Sequence, residues 1–401
     1  MAIPDPNYRR SLLTFLLCLI LIQAAIIYAI DLKRPIYGDE VHFVPTVVLF
    51  GENPTIHTLK HYPEMVTPLS FIVYGLWGRV FGFELHILRV LSIVIALAAY
   101  ILLHRFFFAV SKHSTLSVLT AVFIALNPYM VGLNVFVYTD MLGILCMIAA
   151  CLAVYHDRAL LFMISSAGML LSRQYLIFLT AAALLFYLIL YINDRRPAAM
   201  KMMLAGMASM IPFLCLVILW RGLGPDNEIR RINLTAGFSY HPSFVTLYVS
   251  QMFMYLLPLV VACLQSFKDK FLLGSAMLLS PFYWLFPVRP SKVLVDADIQ
   301  TVGFLHRTLG YLFHNILFED IAFFLMFCFG LTILLHFIRD AWTRFKQNRF
   351  DYAFFLYLSI FIFLLIQPIS YVSWEKYFMP VMPLGAIQIL RPRFNRPVPL
   401  E

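Results

Sequence analysis

Two adjacent carboxylates and a histidine, Asp39, Glu40 and His42, lie shortly after the first long apolar segment of the chain, residues 11–30. These residues are expected where the chain leaves the membrane. A carboxylate at this boundary suits proton abstraction from a bound hydroxyl, because a general base must lie within hydrogen-bonding reach of the group it deprotonates. The alternative is a solvated acidic pair that only ends the first helix. The nearby histidine favours chemistry at this loop.

Two more charged residues lie within or at the edge of apolar runs. Asp140 follows Tyr138 closely, and Arg173 precedes Gln174. Charges of this kind are costly in lipid and usually face a cavity or a partner, so all four residues are candidates for substrate binding. The alternative is an intramembrane ion pair that only fixes packing.

Basic residues later in the chain could neutralise a phosphate. Arg289 and Arg307 lie in the polar stretch 288–318, and Lys376 follows Glu375 directly before the last apolar run. Fixed positive charge stabilises negative charge that develops on a leaving phosphate. Taken singly, these groups are equally typical of contacts with water or lipid headgroups.

A metal site is weakly indicated. His57 and His61 are spaced i, i+4, as two ligands on one helix face would be, but no carboxylate shares their register. We therefore predict no metal and no cofactor, and keep His61 as a substrate-binding candidate.

The composition indicates an all-α, polytopic membrane protein. Of 401 residues, 62% are hydrophobic and 13% are charged, and apolar runs of about 20 residues recur along the chain. The net charge of +9 does not indicate nucleic-acid binding, because the basic residues form short clusters between apolar runs. The length criterion predicts about 12 transmembrane helices, at 11–30, 86–107, 115–127, 135–155, 159–171, 175–192, 200–221, 243–264, 271–287, 319–338, 352–370 and 376–390.

The stretch 66–82 is ambiguous between a short span and a helix lying on the membrane surface. Phe71, Tyr74 and Trp77 recur at helical spacing and form an aromatic stripe, which favours the surface helix. That choice also leaves more than half of the 30 Lys and Arg residues on the cytoplasmic side, as the positive-inside rule favours. The loop 31–85 then lies outside, together with the loops 222–242 and 288–318.

Several short sequences resemble a known family when they are taken in order. They are DEVH at 39–42, TPLSFIVYG at 67–75, GFELHILRVLS at 82–92, YTDM at 138–141 and EKYFMP at 375–380. Together they look like the membrane-embedded glycosyltransferases of the C type (GT-C), and are most similar to the dolichyl-phosphate-glucose alpha-1,2-glucosyltransferase family. The resemblance covers roughly the first 180 residues and returns only near the end.

The resemblance implies an enzyme that transfers a hexose from a polyprenyl-phosphate-linked donor to a glycan or lipid-linked acceptor, with inversion. Asp39 would be the general base, with Glu40 and His42 orienting the acceptor, and Lys376 would stabilise the leaving phosphate, helped by Arg173 or a basic residue of 288–318. Residues 1–192 would form the GT-C-like module and 193–401 a variable module. The expected location is a bacterial inner membrane with the site facing the periplasm or exterior, or the endoplasmic reticulum lumen in a eukaryote.

Two readings from other classes stay open. A transporter or lipid flippase would also bury charges among a dozen spans, but it predicts inverted repeats and polar groups at mid-membrane. We see no internal repeat, and the polar groups gather on one predicted face. A non-catalytic subunit of a glycan assembly complex would tolerate loss of Asp39.

Overall fold

The computed structural model describes residues 6–227, 230, 240–296, 298–370, 372 and 374–391. In this described part all regular secondary structure is helical and no strand occurs, so the all-α prediction is confirmed. Contacts divide the chain into two compact units, Met1–Thr235 and Ala236–Glu401. The division of roles between residues 1–192 and 193–401 stays a prediction.

The first unit is a succession of long and short helices joined by tight loops. They are α1 Pro6–Ile30, α2 Glu40–Glu52, α3 Ile56–His61, α4 Leu69–Phe81, α5 Leu85–Ser111, α6 Ser114–Ala125, α7 Pro128–Val135, α8 Asp140–Tyr155, α9 Ala159–Ser172, α10 Ile177–Asp194 and α11 Pro197–Trp220. A short 3-10 turn, Gln174–Leu176, joins α9 to α10.

The second unit contains α12 Pro242–Ala262, α13 Lys270–Leu279, α14 Phe282–Leu285, α15 Lys292–Asp296, α16 Phe304–Phe313, α17 Ile316–Lys346, α18 Tyr352–Ile366 and α19 Met382–Leu390. The 3-10 turn Glu375–Phe378 precedes α19. Several starts follow from capping: Asp269, Asn315 and Asp351 each accept a backbone N–H of the helix that they precede.

Long apolar helices place the protein in a membrane. Seven helical segments of the described residues are long and apolar enough to cross one, or eight if the α6–α7 pair counts as a single bent span. Most of these helices also expose large apolar side chains, as lipid contact requires.

The predicted number of about 12 spans is not confirmed. Helices α8 and α9 have 16 and 14 residues, which gives about 21–24 Å at 1.5 Å per residue, short of a hydrocarbon core of about 30 Å. The predicted span 271–287 is divided at Pro281 into α13 and α14, and 376–390 retains only the nine-residue α19. The span predicted over 115–127 corresponds to α6 alone, and the chain bends by 73° after it, between α6 and α7. The assignment of each loop to the cytoplasmic or the outer side depends on the number of membrane crossings before it. These assignments therefore stay predictions.

The stretch 66–82 forms α4, a helix of 13 residues. Its length of about 20 Å is too short to cross a bilayer alone. One face, with Phe71 and Tyr74, is buried, while Val80 and Phe81 on the other are exposed. Because Val80 and Phe81 are apolar, their exposure does not by itself make α4 amphipathic, and the surface placement of this helix stays a prediction.

Two glycines let α4 pack closely on α2. A Cβ atom added at Gly75 would lie 2.8 Å from the backbone nitrogen of Gly51, so neither position accepts a larger residue without displacing a helix. The ring of Phe83 fills the remaining space above Gly51 and Gly78. The helix that begins next to Asp39 is therefore held directly against α4.

Candidate functional site

Asp39 is the residue immediately before α2 and is half-buried. Its carbonyl oxygen accepts hydrogen bonds from the backbone nitrogens of His42 and Phe43, both at 3.0 Å, while its side chain does not cap the helix. The partial positive charge at a helix N-terminus stabilises a nearby carboxylate. This position therefore places the Asp39 carboxylate beside the N-terminus of α2.

Glu40, the neighbouring carboxylate, is completely buried and forms an ion pair with Arg89 of α5, which is also fully buried. Arg89 Nε and Nη2 donate to the two carboxylate oxygens at 3.0 and 2.6 Å. Glu40 also accepts from the backbone nitrogens of Tyr37 and Val137, at 3.0 and 2.9 Å. With its oxygens occupied and no exposed surface, Glu40 fits a positioning role better than direct contact with a substrate.

Arg89 also organises the loop that leads to Asp39. Its guanidinium donates to the carbonyl oxygens of Leu32, Arg34 and Pro35 at 2.9, 2.8 and 3.2 Å. Its Cζ lies 5.4 Å from the ring centroid of Phe136. One buried cation therefore fixes the segment 32–35 after α1 and, through Glu40, the start of α2.

Tyr138 lies next to the acidic pair. Gly38 has a φ of +58°, which a residue without a side chain adopts without strain. A Cβ atom built on Gly38 would lie 2.6 Å from the Tyr138 hydroxyl oxygen, so this hydroxyl rests on the residue that precedes Asp39. The Tyr138 ring also makes an edge contact with Phe43, with centroids 6.2 Å apart. The two motifs at 39–42 and 138–141 thus meet in space.

Asp140 and Arg173 form an ion pair, and both are nearly buried. Tyr175 donates its hydroxyl to Asp140 at 3.3 Å, and Arg173 Cζ lies 5.9 Å from the Phe43 ring centroid. The ion pair that the sequence offered as an alternative is present, and the substrate-binding role of the two residues stays a prediction. Through Phe43 the pair contacts α2 about one helical turn after Asp39.

Gln174 ties the adjoining loop to the same cluster. Its amide donates to the Met65 carbonyl at 2.5 Å and its side-chain oxygen accepts from Thr67 N at 3.3 Å. The Tyr62 hydroxyl donates to Val66 O at 2.6 Å, and burial, followed by the charge of Glu64, raises the pKa of Tyr62. Tyr62 is therefore a neutral structural phenol, and Gln174 serves to shape the turn before α4.

The histidines of this region are exposed. His42 and His61 are both exposed, and the rings of His57 and His61 are tilted by 45° with their centroids 4.8 Å apart. No group of three His, Cys, Asp or Glu side chains that could hold a metal ion occurs among the described residues.

In the second unit, Arg289 forms an ion pair with Asp320. Its Nη1 and Nη2 donate to the two oxygens of Asp320 at 2.6 and 2.5 Å, and Tyr283 donates to the same group at 3.1 Å. The hydrogen bonds to Asp320 raise the pKa of Arg289. Arg307, by contrast, is exposed on α16.

Glu375 is completely buried and caps α16. Its oxygens accept from the backbone nitrogens of Leu305 and His306, both at 2.8 Å, and from the Tyr255 hydroxyl at 3.0 Å. Lys376 is half-buried, with its ammonium 6.0 Å from the Trp374 ring centroid. Glu375 therefore has a structural role, and Lys376 is the more accessible of the two.

Sequence reasoning missed the partners of two candidates. Arg89 lies inside the apolar run of α5, and Asp320 lies in the first turns of α17. The signal that could have found Arg89 is its cost in lipid, since a cation within a span requires a partner. The site assigned from the sequence to Glu40 and Arg289 needs these partners for its geometry.

Comparison with protein-family models, with curated proteins and with solved structures found no match to this chain. Its function is therefore inferred from its own residues.

Proposed function

We propose that this protein is an integral-membrane glycosyltransferase that transfers a hexose from a polyprenyl-phosphate-linked donor to a hydroxyl of a glycan or lipid-linked acceptor. The observation that carries the proposal is the half-buried Asp39 at the start of α2, set in place by the buried Glu40–Arg89 pair and flanked by Tyr138. A carboxylate held this firmly meets the positional requirement of a general base.

The reaction is a single displacement with inversion. Asp39 accepts the proton of the acceptor hydroxyl while that oxygen bonds to the anomeric carbon of the sugar. The bond from this carbon to the phosphate oxygen of the carrier breaks, and its electron pair leaves with the phosphate. General base catalysis of this type contributes a factor of about 10²–10⁴ to the rate.

The leaving group explains why a single carboxylate suffices. A phosphate departs as an anion without protonation, so no second acid is needed, unlike the paired carboxylates of glycoside hydrolysis. Lys376, which is half-buried, is assigned to stabilise this phosphate, because fixed positive charge stabilises the negative charge that develops on a leaving group.

The direct test is transfer from a panel of polyprenyl-phosphate sugars by purified full-length protein. We expect turnover of at least one hexose donor, equal with and without chelator, because no residue of the mechanism requires a metal. Sugar release or transfer would be scored by mass spectrometry. Absence of turnover with every donor, in a preparation that moves labelled lipid across vesicles, would instead support a transporter or flippase.

The proposal also requires Asp39 to face the non-cytoplasmic side. A cysteine in place of the exposed His42 should react with an impermeant maleimide on intact cells, whereas Arg196→Cys in the α10–α11 connection should react only after permeabilisation. The unsubstituted chain gives the background from its own six cysteines. The reverse labelling pattern would exclude a reaction at the outer face.

A further inference from the structure

The second unit contains a cavity of about 420 Å³ between α16, the first turn of α17 and the segment before α16. Six polar side chains contribute to its wall: Arg289, Gln300, His306, His314, Asn315 and Glu319. We call it the α16 cavity. Its volume falls within the range of about 300–1,000 Å³ that is usual for sites of small ligands.

The floor of the α16 cavity is a buried acid and imidazole pair. His306 and Glu319 are each 8% exposed, and His306 Nε2 lies 3.0 Å from Glu319 Oε1. Gly310, one turn after His306, leaves the wall open: a Cβ atom there would meet only Glu319 Oε2, at 3.5 Å. A ligand in this space would find the carboxylate at its centre.

The charges of the wall do not favour an anion. The guanidinium of Arg289 is neutralised by two hydrogen bonds to Asp320. Burial, with the nearby Arg289 charge, lowers the pKa of His306 to about 4, so this imidazole is uncharged at neutral pH. The carboxylate of Glu319 adds negative charge. A phosphate would therefore be repelled by Glu319 without a compensating unpaired cation on Arg289 or His306.

The hydrogen-bonding groups fit a ligand rich in hydroxyls. Glu319 accepts hydrogen bonds, while the Asn315 side-chain oxygen already accepts from Leu317 N at 2.8 Å, which leaves its NH₂ group to donate. Gln300 can both donate and accept. Hydroxyl groups do both as well, and a site that contains both kinds of partner discriminates strongly in favour of them.

We propose that the α16 cavity binds a neutral sugar residue through Glu319, Asn315 and Gln300. Its assignment to the acceptor of a glycosyl transfer rests on the proposed function, whereas binding of the sugar does not. Arg289 then serves as a positioning residue that holds the cavity wall through Asp320, and it is not a phosphate ligand.

The test measures, by saturation-transfer NMR, the binding of free mono- and disaccharides and of inorganic phosphate to the full-length protein in detergent. We expect at least one neutral sugar to bind and phosphate not to compete with it. Gly310→Met extends a side chain from the open wall into the cavity and should weaken binding by at least about tenfold. Gly274→Met on α13, where an added Cβ meets nothing within 4 Å, is the matched control and should bind as the unsubstituted protein does.

A second variant guards against a folding defect. Glu319→Gln keeps the shape but removes the charged acceptor, and should also weaken sugar binding by about tenfold, since hydrogen bonds to a charged acceptor are stronger than those to a neutral one. Failure of every sugar to bind, competition by phosphate, or binding unchanged in both variants would overturn the inference. An unsubstituted protein that binds a neutral sugar but transfers sugar from no donor would count against the proposed function alone and would leave this inference standing.

Discussion

Replacing Asp39 by Asn should reduce sugar transfer by at least about 10²-fold while the protein stays folded. An amide has the same shape as the carboxylate but cannot accept the acceptor proton, and general base catalysis contributes about 10²–10⁴ to the rate. Since the Asp39 side chain does not cap α2, the substitution should leave that helix intact. Initial rates at saturating donor, with size-exclusion profiles and unfolding midpoints of the same preparations, measure the effect.

The matched control is Asp31→Asn in the same loop. Asp31 is exposed and has a φ of +56°, a conformation that Asn tolerates well. Its side-chain oxygen accepts from Lys33 N at 2.9 Å, and an amide oxygen can do the same. Near-normal turnover is expected. If Asp39→Asn turned over as fast as this control, Asp39 would have no part in proton transfer.

Replacing Arg89 by Met should destabilise the protein by about 3–5 kcal/mol, because it leaves the Glu40 carboxylate buried without its counter-charge. The carbonyl oxygens of Leu32 and Arg34 would lose their donor as well. We expect a large fall in the apparent unfolding midpoint and loss of transfer, since the loop before Asp39 would no longer be fixed. Fluorescence-detected unfolding in detergent measures the first effect.

The double variant Glu40→Gln with Arg89→Met separates charge from packing. Because it removes the uncompensated carboxylate, it should recover part of the stability lost in Arg89→Met. Arg79→Met on the exposed face of α4 is the control and should shift the stability by no more than about 0.5 kcal/mol. If Arg89→Met had the same unfolding midpoint as Arg79→Met, the buried pair would not be what holds the loop.

The fold was predictable where a single physical quantity decides it. Apolar length locates α1, α5, α10, α11 and α12, because crossing lipid demands about 20 apolar residues in one helix. The same quantity does not register a break inside an apolar run. Pro281 stands at such a break within the predicted span 271–287, where it ends one helix and begins the next while the run stays apolar.

The site was predictable only in part, because its partners are distant in sequence. Glu40 and Arg89 are separated by 49 positions and Asp140 and Arg173 by 33, so no local spacing pairs them. The sequence named Asp39 and Tyr138 as site residues, a role that stays a prediction, and gave an ion pair as the alternative for Asp140 and Arg173, which the structure contains. It treated Glu40, Gln174 and Glu375 as substrate contacts, whereas their hydrogen bonds show groups that hold backbone segments in place.

The cap that Glu375 places on α16 has a consequence for biosynthesis. The Glu375 carboxylate accepts a hydrogen bond from Leu305 N, which lies 70 positions earlier in the chain. The ribosome therefore synthesises α17 and α18 before it adds Glu375. Until then the first turn of α16 has unsatisfied N–H groups. Helix α16 should consequently become protected from proteases only after the last helices have entered the membrane, which makes its maturation a late, post-insertion event.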